Sequence, residues 1–423
     1  MDDLEMTDPI MTPISELIVN EDKASMQLPP SGNRFFALDA LRASILLMGV
    51  VFHSMLAYVM LPGTWAIGTH HTNMPMWWLV HYLHDFRMEL FFLLSGFYAC
   101  LVIQKRGAAS FLRNRAIRVA LVFFLLLYPM KLLIAIPWNN GLLKTGWMKV
   151  PSDAANIDLT RLAINQFLLE TWPNIDLGHL WFLYYLAWIS AIFVTLRWLI
   201  MKFTLADFLQ LKMKHGFYKL LSSILAPLYI ALILSPVLAS TPRYYIDSPH
   251  GSFLLDPAAL LIYGFFFCVG WWLQKCSDLL DIFAKRWKIL ISLSVIASSL
   301  GFLCELKLFT GGGGGQLMWM ASIANAFTLS LAVLGWIGFF VSVFNRPSPI
   351  ARYLADSSYW VYLIHLPIII TLQVLVSDWS SVGAKFLFIN VVTFAITLLS
   401  YQCLVRYTWI GRWLNGQRYI RSR

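Results

Sequence analysis

Ionisable residues inside apolar segments are the first sign of chemistry in this sequence. The first long apolar run carries Asp39, Arg42 and His53, and the second carries Arg87 and Glu89. Charged and titratable side chains are costly within a membrane, and they usually have a function there. On a helix, Arg42 and His53 share one face roughly 16 Å apart, with Asp39 one turn below Arg42. The spacing predicts an ion pair near one membrane surface and, near mid-membrane, a histidine able to accept a proton.

Further polar residues stand at the start of the second run. His81 and Asp85 are four residues apart, and His84 and Arg87 are three apart, so each pair shares a helix face. These pairs fit either an outer rim or a functional site. An unpaired buried charge is strongly destabilising. We therefore expect Arg87 and Glu89 to face partners on the first run or a water-filled cavity.

Other polar residues in the apolar runs have structural explanations as well. His179, followed by Trp181, begins a later run, and its aromatic neighbours fit an interfacial belt. His365 lies within another run, and each histidine is either structural or part of a site. Ser95 precedes a glycine without a G-x-S-x-G elbow, which favours close helix packing over a nucleophile.

A basic cluster precedes the third apolar run. It contains Arg113, Arg115 and Arg118. Such clusters mark cytoplasmic loops of membrane proteins. Arg115 and Arg118 are three residues apart, however, and can also hold a phosphate group together.

The elements that must position these residues follow from the composition. Of 423 residues, 59% are hydrophobic and only 13% are charged, against about 45–50% and about 25% in soluble domains. The mean hydropathy is +0.66. These values exclude a disordered chain, a collagen-like fibre and a disulfide scaffold, and they predict an all-α polytopic membrane protein. About ten transmembrane helices are expected, at residues 36–58, 77–103, 117–136, 180–200, 220–240, 257–274, 289–309, 317–344, 358–376 and 383–405.

Charge asymmetry between the loops predicts the topology. Lys and Arg cluster in every second loop and in the last residues of the chain, which places both termini in the cytoplasm. Residues 34–405 are expected to form one membrane domain between a flexible acidic tail (1–33) and a basic tail (406–423). The amphipathic segment 153–172 is too polar to cross and is expected to lie on the outer surface or to re-enter.

Several functional classes are not supported by the sequence. The net charge of +10 is explained by cytoplasmic loops, so it does not indicate nucleic-acid binding. The five cysteines show no metal-ligand or disulfide spacing, and we expect buried thiols, no metal and no bound cofactor. We expect the protein to be embedded in a lipid bilayer.

Three motifs in order resemble the integral-membrane acyltransferase family 3. The chain reads LDALRASILLMGVVFH through Asp39, Arg42 and His53, then FFLLSGF, then the arginines Arg115 and Arg118. The resemblance covers about residues 34–405. HLWFL and the later motif with Tyr362 and His365 resemble a subgroup implicated in succinylating osmoregulated periplasmic glucans.

The resemblance implies acyl transfer in a bacterial inner membrane. The donor would be a cytoplasmic acyl-CoA, in particular succinyl-CoA, and the acceptor a hydroxyl of a periplasmic glucan. His53 would be the general base, and Arg42 with Asp39 and Arg87 with Glu89 would fix the cavity and stabilise the oxyanion. The CoA phosphates would be bound by Arg113, Arg115 and Arg118. The acceptor would be bound by His179, Trp181, Tyr362 and His365.

Three alternatives remain open from the sequence. The enzyme can instead acetylate another envelope polysaccharide or a lipid-linked sugar. The buried charges can belong to a proton-coupled transporter, although no clear inverted repeat is visible. A non-catalytic partner in glucan export is the third alternative, and it would tolerate loss of His53.

Overall fold

Long apolar runs fold as helices because a backbone in lipid must satisfy its own hydrogen bonds. A computed structural model describes residues 32–61, 63–69, 71–149, 158–202 and 206–415. Within these ranges the protein is helical with no β-strand, as the sequence predicts. Nearly all of the predicted acidic tail and the end of the basic tail lie outside the described residues.

The described residues contain thirteen α-helices. Within the described ranges they are α1 (Gly32–Met55), α2 (Met74–Arg115), α3 (Leu121–Lys144), α4 (Leu159–Leu168), α5 (Trp181–Ile200), α6 (Ala206–Ser222), α7 (Ala226–Ala239), α8 (Pro257–Lys275), α9 (Leu279–Phe309), α10 (Gly315–Val343), α11 (Pro349–Leu375), α12 (Val382–Ser400) and α13 (Trp409–Asn415).

Eight helices of the described chain are long and apolar enough to cross a membrane, and a bent pair adds a ninth. The sequence predicts about ten crossings, and the difference lies in residues 74–144. There the second and third apolar runs belong to one helical stretch of 71 residues, from the start of α2 to the end of α3. One crossing needs only about 20 residues. Gly107, with a φ of 79°, breaks the helical geometry between the two runs. The long helix therefore has the length for two crossings.

The predicted straight run at 220–240 is divided in the structure. Helix α6 ends at Ser222, and α7 leaves it at an angle of 106°. Pro227 lies in the first turn of α7, a position that suits proline because a backbone N–H there would have no partner within the helix. Of the amphipathic segment, residues 153–157 lie outside the described residues, and Leu159–Leu168 form the ten-residue helix α4. At about 15 Å, α4 is too short to cross a membrane.

Helices α2 and α8 pack closely through glycines. A Cβ added to Gly96 would overlap the carbonyl oxygen of Phe267, and one added to Gly270 would overlap that of Leu93. Small residues allow such close approach of helix backbones in membranes. The sequence interpretation of Ser95 and Gly96 as a packing element is confirmed. This contact fixes α2, which carries Arg87.

Candidate active site

Two histidines from distant parts of the chain meet between α1 and α11. His53 Nδ1 on α1 lies 3.0 Å from His365 Nε2 on α11. The ring centroids are 5.1 Å apart. The meeting follows from the packing of α1 along α11, which brings together residues 312 positions apart.

The hydrogen bonds of His365 set the protonation of the pair. His365 Nδ1 is 2.7 Å from the carbonyl oxygen of Tyr362, which can only accept, so Nδ1 carries the hydrogen. In the neutral ring, His365 Nε2 is then an acceptor, and His53 Nδ1–H donates to it. His53 Nε2 keeps its lone pair, which is the form that a general base requires.

A residue of the loop after α1 covers His53. Trp65 stacks on the His53 ring with centroids 6.5 Å apart and planes within 6°. Its indole nitrogen donates to Gln373 Oε1 over 2.8 Å. Gln373 in turn donates to the carbonyl oxygens of His53 and Ser54. The end of α1 is thereby tied to α11.

The membrane depth of His53 stays a prediction. The first candidate span covers Phe36–Tyr58, and His53 lies five residues before its end. Helix α1 ends at Met55, and a short 3₁₀ turn follows at Leu56–Tyr58.

The residues predicted to bind the acceptor are buried around the histidine pair. His179 Nε2 donates to the carbonyl oxygen of Leu363 over 3.0 Å, and the Tyr362 hydroxyl donates to the carbonyl oxygen of His179 over 2.7 Å. Trp181 stacks on Tyr263 inside the bundle. These contacts join the start of α5 to α8 and α11. The role of these residues in binding the acceptor stays a prediction.

Arg87 faces the first span, as the sequence predicts for a deep charge. Its guanidinium carbon lies 4.3 Å from the centroid of Phe52, the neighbour of His53. Its Nη1 is buried and has no hydrogen-bond partner among the described residues. A buried donor without a partner is costly in an apolar setting. Arg87 thus places a buried cation against Phe52, the residue before His53.

Glu89 is predicted, together with Arg87, to fix the cavity and stabilise the oxyanion, and this role stays a prediction. No ion pair joins them in the described part of the chain, because residues two apart on a helix point to different sides. Glu89 is 2% exposed, and its Oε2 has no hydrogen-bond partner among the described residues. The two residues therefore do not act as one ion pair beside His53.

The predicted Asp39–Arg42 ion pair is present at the basic end of α1. Arg42 Nη2 lies 3.7 Å from Asp39 Oδ1, with both side chains more than a third exposed. The Tyr98 hydroxyl donates to the same oxygen over 2.7 Å. Eleven residues of helix place Arg42 about 16 Å from the level of His53. The pair therefore does not contact the histidines.

Two of the three predicted phosphate-binding arginines lie at the junction of α2 and α3. Arg115 is the last residue of α2, and Arg118 lies between the two helices. Arg115 is half-buried with its guanidinium over Phe111, 5.2 Å from the ring centroid. The Arg118 carbonyl accepts a hydrogen bond from Tyr359. Among the described residues neither Arg115 nor Arg118 forms an ion pair with a carboxylate. Arg113 is exposed beside them.

A second polar cluster lies in the first third of α2. His81 Nε2 is 3.5 Å from Asp85 Oδ2, and His81 Nδ1 is 3.4 Å from Glu305 Oε2 on α9. Asn325 on α10 donates to Glu305 Oε1 over 2.6 Å. No group of three or more His, Cys, Asp and Glu side chains in the described residues is arranged to hold a metal. The cluster joins α2, α9 and α10.

Two clefts open at opposite ends of the bundle. The one at the basic end has a volume of about 530 Å³ and is lined by Lys214, Lys275 and several glutamines. The other has about 720 Å³ and lies between residues 241 and 257. Outside the membrane-spanning segments near it, a hydrogen bond to Asp176 raises the pKa of His250. Burial raises the pKa of Tyr245 to about 12.

Three neighbours of His53 were not identified from the sequence. Trp65 and Phe52 look like ordinary aromatic residues of an apolar chain, and their spacing carries no signal. Gln373 is a polar residue within an apolar run, a feature that could have revealed it. All three are brought to His53 by contacts between helices or by the loop after α1.

Comparison with known proteins adds a family to this geometry. The family profile described as "Acyltransferase domain" matches residues 35–402. Curated relatives of this chain include proteins named Glucans biosynthesis protein C. The one from Escherichia coli O81 (strain ED1a) is 22% identical over 361 residues, which cover 80% of this chain and 83% of the relative. That of Escherichia coli (strain K12) is 22% identical over 364 residues, with the same coverage. No solved structure matches the chain significantly.

Proposed function

The chain belongs to integral-membrane acyltransferase family 3, and from this we propose that it transfers an acyl group from acyl-CoA to a hydroxyl of an envelope glycan. The observation that carries the proposal is the hydrogen bond from His53 Nδ1 to His365 Nε2. It leaves His53 Nε2 free to take a proton. The donor would reach His53 through the multi-pass bundle from its basic end, and the acceptor would come from the opposite end.

In the proposed reaction His53 takes one proton and returns it, so no other proton carrier is needed. The acceptor hydroxyl loses its proton to His53 Nε2 while its oxygen attacks the thioester carbonyl carbon. The carbon–sulfur bond then breaks, and His53 returns the proton to the departing thiolate, which leaves as CoA thiol. General-base assistance of this kind contributes about 10²–10⁴-fold to the rate.

Arg87 supplies the positive charge at the reacting centre. Its guanidinium lies against Phe52, next to His53. A buried cation aimed at a developing oxyanion stabilises it more strongly than it would in water. We also propose that Arg87 pairs with the distal carboxylate of a succinyl donor, a contact that an acetyl group does not offer. Asp39 and Arg42 would then shape the donor path, and Glu89 would tune the charge of α2.

The donor would approach from the basic end. Arg115 and Arg118, with Arg113 beside them, would hold the phosphates of CoA. These arginines have no carboxylate partner among the described residues, and guanidinium groups bind phosphate strongly. The positive-inside rule assigns this end to the cytoplasm. The membrane would then be the bacterial inner membrane.

The acceptor class is suggested by the relatives. They are named Glucans biosynthesis protein C, and we extend their printed name to a glucan acceptor with succinyl as the transferred group. Acetyl transfer to another envelope polysaccharide is the alternative within the same chemistry. Mass spectrometry of periplasmic glucans from cells with and without the protein distinguishes the two acyl groups.

The test of the proposed base is His53→Ala in the purified protein. Transfer of the acyl group, followed by mass spectrometry, should fall by about 10²–10⁴-fold. His215→Ala, a change at an exposed histidine of α6, is the matched control and should retain activity. Normal transfer by correctly folded His53→Ala would remove the base from the proposal. Solute flux without acyl transfer by the wild type would instead indicate a transporter.

A further inference from the structure

The cleft lined by residues 241–257 is called the outer cleft here, because the proposed topology places it outside the membrane, and it carries exposed polar side chains and a partly exposed tyrosine. Arg243 Nη1 and Asp247 Oδ2 form an ion pair of 3.1 Å, with the side chains 60% and 55% exposed. Arg243 also donates to the Tyr245 hydroxyl over 3.4 Å. The cleft volume of about 720 Å³ lies within the range of about 300–1,000 Å³ that is common for small-molecule sites.

A continuous row of rings connects this cleft to His53. Tyr245, on the cleft wall, packs its ring against His84 with centroids 5.1 Å apart. His84 contacts Phe52 at 5.8 Å, and Phe52 contacts His53 at 5.3 Å. Only two side chains, His84 and Phe52, therefore lie along this row between the cleft wall and the proposed base.

The charges of the cleft favour a neutral ligand. The cation of Arg243 is already balanced by Asp247, and Asp256 adds a further acid to the lining. An anionic ligand would meet these carboxylates. Paired carboxylate and guanidinium groups instead suit neighbouring hydroxyls, since each hydroxyl both donates and accepts a hydrogen bond. The partly exposed ring of Tyr245 offers an apolar surface to the C–H face of a sugar ring.

We propose that the cleft formed by residues 241–257 binds the acceptor as a neutral oligosaccharide, an inference that rests on the proposed function. Tyr245 packs against a sugar ring, and Asp247 and Arg243 bind its hydroxyls. His84 and Phe52 separate the bound sugar from His53. A hydroxyl reaches His53 Nε2 when these two rings move aside.

His84 has a second feature that points to a ligand at this boundary. Its Nδ1 is buried and has no hydrogen-bond partner among the described residues. A buried ring nitrogen without a partner is costly. A sugar hydroxyl that passes Tyr245 supplies the missing hydrogen bond at the point where the acceptor enters the bundle.

Sugar binding without an acyl donor tests the proposal independently of catalysis. The full-length protein in detergent is titrated with maltopentaose, cellopentaose and laminaripentaose, and binding is followed by saturation-transfer difference NMR. We expect at least one of the three to bind the wild type. Asp247→Asn and Tyr245→Ala should weaken that binding at least tenfold. Tyr229→Ala, at a partly exposed tyrosine of α7, is the matched control and should bind as the wild type does.

The outcomes separate this proposal from the proposed function. His53→Ala should retain sugar binding while acyl transfer is lost. Wild-type affinity in Asp247→Asn and Tyr245→Ala would overturn the cleft proposal, and so would the absence of binding by the wild type to all three sugars. Sugar binding in the cleft by a protein that transfers no acyl group would overturn only the proposed function. Because Asp247 is exposed, its amide variant tests binding even if Tyr245→Ala is unstable.

Discussion

The role of His53 depends on a residue that lies 312 positions away in the chain. His365 accepts the hydrogen bond from His53 Nδ1, and the carbonyl of Tyr362 holds the His365 ring in the tautomer that can accept it. The family motif on α1 is visible in the sequence, so His53 is predictable as a candidate base. Its partner is not, because a lone histidine in an apolar run fits a structural role equally well.

We expect His365→Ala to lower kcat by about 10–10²-fold, because His53 loses the acceptor that orients its ring. His365→Gln should recover most of the loss, since the side-chain carbonyl of glutamine can accept from His53 Nδ1–H. The measurement is kcat and KM for the acyl donor together with the thermal unfolding midpoint. An equal loss of activity in both variants would indicate that His365 has only a packing role.

Arg87 is the second residue whose contacts lead to a specific expectation. Replacing Arg87 by Met should reduce succinyl transfer about 10–100-fold more than acetyl transfer, because hydrogen bonds to charged groups contribute about 1.5–3 kcal/mol. The two donors are compared by kcat/KM in the same preparation. Arg87→Lys keeps the positive charge, so its loss of succinyl transfer relative to acetyl transfer should be smaller than that of Arg87→Met. Equal losses for both donors would contradict the succinyl contact and leave Arg87 with a general electrostatic role.

At the scale of helices, apolar length predicts most of the fold. All ten apolar runs lie on helices of the structure. Each run has the roughly 20 apolar residues that one crossing needs, and a helix satisfies the backbone hydrogen bonds in lipid. What the pattern does not contain is the geometry at the joints. The break at Gly107 and the 106° bend before α7 arise within or between helical segments. The loop that carries Trp65 to His53 is likewise fixed by tertiary contacts and not by periodicity.

The contact between α2 and α8 gives a test of packing. Gly96→Ala should destabilise the protein by about 1–3 kcal/mol, the usual range for overpacking, because the added Cβ would overlap the Phe267 carbonyl. Gly264→Ala on α8 is the matched control, since nothing lies within 4 Å of its Cβ position. The free energy of unfolding in detergent is measured for both. Similar stability of the two variants would contradict the close packing.

At the scale of the whole molecule, the two clefts and the arginines give the protein different chemistry at its two ends. The basic end carries Arg115, Arg118 and a cleft with two lysines, which suits a donor with several phosphates. The opposite end carries the cleft with balanced charges. The His53–His365 pair is linked to that cleft through the rings of Phe52, His84 and Tyr245. This order matches a reaction in which donor and acceptor approach from opposite sides.

The polarity of the molecule is tested by separating the two parts of the donor. Arg115→Gln should raise KM for acyl-CoA about 10–100-fold, because it removes a charge-assisted hydrogen bond to phosphate. It should leave KM for the matching acyl-pantetheine unchanged, since that donor has no phosphate for Arg115 to bind. Lys285→Gln, at an exposed lysine of α9, removes a similar charge and should affect neither donor. Equal changes in KM for both donors would show that Arg115 acts on the fold and not on the CoA phosphates.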